Sequence, residues 1–221
     1  MKEIFNNIKN TCEKHNAQLV AVSKKQPIKG LKDLYQWGQR DFGENKVQDL
    51  IQRKKDMPKD IRWHMIGHLQ RNKVKYIADF IHLIHSVDSL NLLEKIDKEA
   101  KRVGRIIPCL LQVKIAEEIS KYGFKPTEIS KILYQTPSME NIHIKGLMGM
   151  GTQTHNPEKT TAEFRSLHKL FTQVRYPNYT SQPLNILSMG MSHDYKIALA
   201  EGANLIRVGR LLFEENTKPN T

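Results

Sequence analysis

The sequence predicts an α/β fold in a single domain, closed as a (β/α)8 TIM barrel. Three observations lead there. Short apolar runs of strand length alternate with amphipathic helical segments along the whole chain. Eight such β-then-α units follow one another in unbroken series, which calls for a parallel sheet with helical crossovers. Eight is also the number that closes a barrel, and 221 residues lies near the compact end of that fold's range. On pattern alone, a doubly wound open sheet is the alternative.

Leu19-Val20-Ala21-Val22-Ser23 is the first strand. Ile28, Leu31, Leu34 and Tyr35 then recur at helical spacing, in a helix expected to run to about Trp37 and stop at Gly38. Asp41-Phe42-Gly43 is a short second strand, followed by a helix from Val47 to Lys55. Arg62 to Ile66 makes the third strand, ahead of a helix from Gln70 to about Ala78. The fourth strand is read from Phe80 to Val87, and the next helix opens at Asp88 or Ser89 and closes near Gly104. Ile106 to Val113 is the fifth strand. A helix after Pro126 leads into the sixth strand, Ile142 to Met148, and Pro157 opens a long helix carrying Phe164, Leu167, Leu170, Phe171 and Val174. Leu184 to Leu187 and Leu205 to Val208 are the last two strands, separated by a helix from Asp194 to Glu201. Residues 1–214 are expected to form the domain and 215–221 a disordered tail.

Composition excludes several function classes. Hydrophobic residues make up 39% and charged residues 26%, ordinary values for a folded soluble chain. No run of 18 apolar residues suggests a membrane span, and the polar N-terminus lacks the apolar core of a signal peptide. Cys12 and Cys109 lie far apart and read as reduced thiols of a cytoplasmic protein. The net charge of +12 suits small anions as well as nucleic acid. Lys and Arg are spread along the chain, with local runs at Arg53-Lys54-Lys55 and Lys101-Arg102, neither interleaved with aromatics. A solvated basic surface is therefore expected rather than a nucleic-acid interface.

In a parallel barrel the functional face is built at the C-terminal ends of the strands. Those ends read Ser23-Lys24, Glu44-Asn45, His64, Ser86, Lys114, Met148, Ser188 and Arg207. Lys24 closely follows four apolar residues, so its amine is expected to emerge from the barrel core, where burial favours the neutral, nucleophilic form. Lys25 would point to the opposite face if the strand continued. Leu187-Ser188-Met189-Gly190-Met191-Ser192-His193-Asp194 carries a strand into a glycine turn and a helix start. Its free amides, two hydroxyls and helix dipole favour a phosphate, whereas an N-cap at Ser192 without a ligand is the plainer reading. Arg207-Val208-Gly209-Arg210 ends the last strand, and Gly209 with Arg210 could complete the same cup. No metal site is expected: His64 and His68 are four apart but on a strand and its turn, so helical ligand geometry does not apply, and His82 and His85 would face opposite sides of a strand. Walker, G-x-G-x-x-G and G-x-S-x-G motifs are missing.

At these residues the chain closely resembles the pyridoxal phosphate homeostasis proteins, related to the N-terminal barrel of alanine racemase. The matching stretches are Leu19 to Lys24, Phe42-Gly43-Glu44-Asn45 with Gln48, and Trp63-His64-Met65-Ile66-Gly67 with Leu69-Gln70 and Asn72-Lys73. Further along come Ser120-Lys121 with Gly123, Gly146-Leu147-Met148, Leu187 to Ser192 with Asp194, and Ile206-Arg207-Val208-Gly209. The resemblance implies an alanine-racemase-type barrel that holds pyridoxal 5′-phosphate as a Schiff base on Lys24. It implies that Ser188, Gly190, Met191 and Ser192, with Gly209 and Arg210, hold the phosphate, and that Arg207 lies against the pyridine nitrogen. Asn45 and His64 would line the pocket near the ring, and Lys121 matches a second lysine that takes part in handing on the cofactor. Two departures stand out: Arg210 replaces a small hydroxyl residue, and Glu214 a glycine.

The resemblance also bears on catalysis. Arginine beside the ring nitrogen disfavours its protonation and weakens the ring as an electron sink. Alanine racemases take a second base from a β-rich domain that is not found in this sequence. A carrier that buffers, protects or delivers pyridoxal phosphate, with dependent apoenzymes as recipients, is thus expected ahead of a small amino-acid racemase. A monomer is expected, and nucleic-acid binding rests on charge alone.

Overall fold

The computed structural model describes residues 1–116, 122–175 and 183–213. Eight parallel strands close into a barrel in sequence order, β1 to β8, with β8 pairing back onto β1. They are β1 (Gln18–Val22), β2 (Asp41–Glu44), β3 (Arg62–Met65), β4 (Leu83–Val87), β5 (Ile107–Val113), β6 (Ile142–Gly149), β7 (Ile186–Ser188) and β8 (Leu205–Val208). The helices are α1 (Lys2–Lys14), α2 (Ile28–Gln36), α3 (Val47–Asp56), α4 (Leu90–Arg102), α5 (Ile129–Gln135), α6 (Pro157–Val174), α7 (Tyr195–Ala200) and α8 (Arg210–Phe213). The open sheet is thereby ruled out. Among the described residues, no helix is long and apolar enough to cross a membrane.

Local chemistry sets most boundaries. The α4 helix stops because Gly104 takes φ +66°, letting its amide reach the Lys101 carbonyl (3.2 Å) and the Arg105 amide reach that of Ala100 (3.0 Å). Helix α2 ends the same way at Gly38. Asn156 caps α6, its side-chain oxygen accepting from the Glu158 and Lys159 amides.

Three expectations need correction, and one element was missed. The segment expected as a helix from Gln70 is a 3-10 turn over Arg71–Tyr76. The fourth strand begins at Leu83 rather than Phe80, because Phe80 and Ile81 still donate to the Ile77 carbonyl. The Arg105 guanidinium also binds the carbonyls of Ala78 and Ile81. The seventh strand shifts to Ile186–Ser188, where the Asn204 side chain accepts from the Leu187 amide (2.7 Å) and donates to the Asn185 carbonyl (2.6 Å). The N-terminal helix α1 was not foreseen, although Phe5, Ile8 and Cys12 supply its buried stripe. The expected tail, 215–221, and Glu214 lie outside the described residues.

The core has two parts. The larger packs the outward strand residues against the helices, with Phe42, Leu111, Leu147 and Ile206 meeting Leu31, Leu50, Leu93 and Phe164. The smaller is the barrel lumen, where Val20, Leu83, Leu110, Met148 and Leu205 form one apolar cluster. Strand alternation then turns His85, Gln112 and Arg207, two residues beyond Leu83, Leu110 and Leu205, toward the same lumen. All three are buried.

Candidate functional site

The C-terminal face collects most of the expected residues. Lys24 follows the buried Ser23, one residue beyond the end of β1, and is exposed. The burial expected for its amine is therefore not what the fold supplies: the chain leaves the strand and turns there. Lys25 adopts φ +59°, so the strand does not continue and the opposite-face argument falls away. Ser23 anchors the turn by donating to Glu44 Oε1 (2.7 Å). Glu44 is fully buried; burial raises its carboxyl, against the Ser23 hydrogen bond and Arg53 Nε at 3.7 Å. Among the described residues, its Oε2 has no hydrogen-bond partner. Asn45 follows at the end of β2, half-buried.

The loops after β7 and β8 are joined. Ser192 does not cap α7. Asp194 holds the N-cap position and its Oδ1 accepts from the Met191 amide (2.6 Å). The Ser192 hydroxyl oxygen instead accepts from the Gly209 amide (3.2 Å), which leaves its own proton to donate. Met191 is half-buried, and its carbonyl accepts from the Asp194 and Tyr195 amides. Gly190 has φ +92° and is buried, and a Cβ there would stand 2.5 Å from Ala198 Cβ. Among the described residues, the amides of Gly190, Ser192 and His193 find no acceptor. Arg210, at the start of α8, is exposed and lines a cavity of about 370 Å³ with Thr154, His155, His193 and Asp194. A larger cavity, about 910 Å³, lies after β3 and β4 between His68, Arg71, Asp88 and Lys95, and contains none of the expected site residues.

Beneath the cup, the lumen holds a chain of polar side chains. Arg207 is buried, and burial pushes its guanidinium down to about 10, so it stays charged at neutral pH. It donates through Nη1 to Ser188 Oγ (2.5 Å) and through Nη2 to the Gly149 carbonyl (3.0 Å). Ser188 Oγ lies 3.2 Å from His85 Nδ1, and His85 Nε2 lies 2.9 Å from His64 Nδ1. His64 Nε2 then meets Asp41 Oδ1 at 3.0 Å, and Arg62 grips both oxygens of Asp41, at 2.7 and 2.6 Å. His64 therefore lies inside the barrel with both ring nitrogens engaged, rather than at its rim. Burial opposes the Asp41 charge, yet the hydrogen bonds from Arg62 and His64 hold its carboxyl well below the usual carboxylate range.

Sequence reading missed Asp41, Arg62 and His85. It also placed His82 and His85 on opposite faces. His82 precedes β4, so strand alternation does not govern it, and both rings lie against His64, with centroids 5.3 and 5.2 Å away. Asp41, His64 and His82 bring possible ligand atoms within 4.8 Å of one another. Both Asp41 oxygens are already taken, and a guanidinium stands where a cation's charge would be needed. The geometry is that of an ion pair with a histidine chain. Lys121 lies outside the described residues.

Fold and site together define a (β/α)8 barrel whose C-terminal face gathers a lysine, a buried arginine and an amide-lined cup. Residues 1–217 match the family model of the alanine racemase N-terminal domain. The chain is 34% identical to the pyridoxal phosphate homeostasis protein of Aquifex aeolicus, covering 97% of this chain and 96% of that protein. It is 39% identical to that of Helicobacter pylori strain 26695, over 91% and 89%. Among solved structures it resembles PipY of Synechococcus elongatus without PLP, at a TM-score of 0.89 and 35% identity over 96% of this chain and 99% of that one. PipY with PLP bound matches at 0.81 and 35% identity, over 90% and 93%. The alanine racemase of Clostridium difficile 630 shares the fold, at 0.79 and 16% identity, this chain spanning 56% of it. The chain belongs to the alanine racemase N-terminal domain family and, within it, to the pyridoxal phosphate homeostasis proteins.

Proposed function

We propose that this chain holds pyridoxal 5′-phosphate at the C-terminal face of its barrel, with Lys24 as the amine that takes the aldehyde in a Schiff base. The observation that carries the reading is the buried Gly190 amide without an acceptor, set beside a buried Arg207 and the joined Ser192–Gly209 loops. Donors arranged in this way suit an anion. Ser192 and the amides of Gly190 and His193 bind the phosphate, Arg210 adds charge at the rim, and Arg207 faces the ring nitrogen. Asn45 stands beside the ring, on the neighbouring strand end from Lys24. Relatives named for pyridoxal phosphate homeostasis, and PipY solved with PLP bound, support the same ligand.

Carriage rather than turnover follows from the residue at the ring nitrogen. A guanidinium donates a hydrogen bond without giving up its proton, so the ring gains little as an electron sink. The protein buffers, protects or delivers the cofactor, and dependent apoenzymes are its recipients. The test is the visible absorption spectrum with pyridoxal phosphate, for the parent and Lys24→Ala. A long-wavelength band in the parent that vanishes in the variant is the expected result. No band in the parent removes the cofactor reading, and a band kept in Lys24→Ala moves the attachment to another lysine.

A further inference from the structure

We infer that Asp41, His64, His85 and Ser188 form a one-way hydrogen-bonded relay that positions Arg207 for the cofactor ring from the opposite end of the barrel. The inference rests on pyridoxal phosphate being the ligand, but its geometry does not.

The polarity follows from counting protons. An ionised Asp41 can only accept, so His64 Nε2 carries a proton and donates to it. At the other end Arg207 can only donate, so Ser188 Oγ accepts from it and must send its own proton elsewhere. The acceptor within reach is His85 Nδ1. His85 then carries its proton on Nε2 and donates to His64 Nδ1. Every contact is satisfied by two neutral rings, both protonated on Nε2. Were His85 turned to the other tautomer, Ser188 Oγ would accept from both His85 and Arg207, and its own proton would be left without an acceptor on this line.

Register shows how far the relay reaches. Asp41 and Arg62 pair as the first residues of β2 and β3, and Arg62 is half-exposed there, at the N-terminal rim. His64 stands level with Gly43 and Leu83, and His85 lies two residues further up β4. Ser188 is the last residue of β7, and Arg207 lies two residues beyond its partner Leu205 on β8. The line thus climbs the lumen from one rim to the other. It does not touch the cup, so His64 and His85 are positioning residues, acting through Ser188 and Arg207.

The test pairs two readouts. Long-range ¹H–¹⁵N spectra of the free protein report which ring nitrogen carries the proton, and titration with pyridoxal phosphate reports the effect on binding. Both rings are expected as neutral Nε2–H forms. His85→Gln keeps one acceptor and one donor at similar spacing, so it should bind within about two-fold of the parent. His85→Leu breaks the line and should weaken binding about ten-fold, the loss expected for one hydrogen bond. His64→Leu, one step further away, is the second break and should move the same way should the first variant fail to fold. Rings protonated on Nδ1, or charged at neutral pH, overturn the relay. Unchanged binding in folded leucine variants overturns its positioning role. A parent that binds no pyridoxal phosphate while its rings carry the expected protons sinks the cofactor reading, and the positioning role with it.

Discussion

Replacing Gly190 by alanine tests the cup, and Gly104→Ala is its control. Both glycines have positive φ, +92° and +66°, so both substitutions carry backbone strain of about 1–2 kcal/mol. Their surroundings differ. Nothing lies within 4 Å of a Cβ at position 104, whereas one at 190 meets Ala198 Cβ at 2.5 Å and Tyr195 Cα at 3.0 Å. Those neighbours belong to the short helix α7, which cannot yield without moving the Asp194 and Ser192 contacts. Overpacking of this kind costs a further ~1–3 kcal/mol. For a chain of this size each kcal/mol lowers the melting temperature by about 2–4 °C. Gly104→Ala should therefore melt about 4 °C below the parent and Gly190→Ala about 10 °C below. Melting followed by circular dichroism reads the difference, and pyridoxal phosphate should raise the parent's and the Gly104 variant's midpoints more than the Gly190 variant's. Equal melting of the two variants would refute the packing argument, since strain alone would then explain both.

Acid should destabilise the fold through His85. Burial first, then the neighbouring Arg207 charge, hold its pKa well below 6.5. The unfolded chain takes a proton that the folded one refuses, so stability is full above pH 6.5 and falls below it, by about 1.4 kcal/mol per pH unit until the folded value is reached. His82, pulled down to about 4, adds in the same direction. Urea midpoints between pH 7.5 and 5 should drop in the parent and drop less in His85→Gln; parallel curves would contradict this. The two thiols should be silent in the native protein. Cys12 and Cys109 are buried, and burial pushes Cys12 up to about 11 and Cys109 higher still. An aromatic disulfide reagent should label neither until urea is added, and rapid native labelling would show that one of them opens to solvent.

Much of this was legible in the sequence, for a local reason. Leu205 to Val208 forms the last strand with the bounds expected of it, and Gly38 and Gly104 end helices at positive φ, where glycine is at ease. The lysine after the first strand and the glycine turn after the seventh were also visible, because strand ends mark the functional face. The lumen was not. An irregularity between Ile84 and Val87 turns Val87 to the outer core, while Leu83 belongs to the lumen cluster and His85 follows two residues on, so a polar residue at that spacing was the available signal. What it meets is Ser188, 103 residues away, and only closure of the barrel sets that distance. Asp41 and Arg62 likewise read as ordinary strand-start charges until register places them side by side. Lys24 failed in the other direction: the apolar run predicted burial, and a turn with Lys25 at positive φ sets it outside.

The bond between Ser192 and Gly209 has a consequence for assembly. It fastens the seventh loop to the last strand, and that strand lies along β1, where the chain turns out to Lys24. The proposed ligand thus spans the seam at which the barrel closes on itself. A half-built barrel has the lysine but no cup, so affinity arrives only with the final strand. Ligand capture during synthesis or refolding would then report completed closure, and a bound ligand would act as a clasp, opposing the peeling of β8 from β1 by which such a ring first opens.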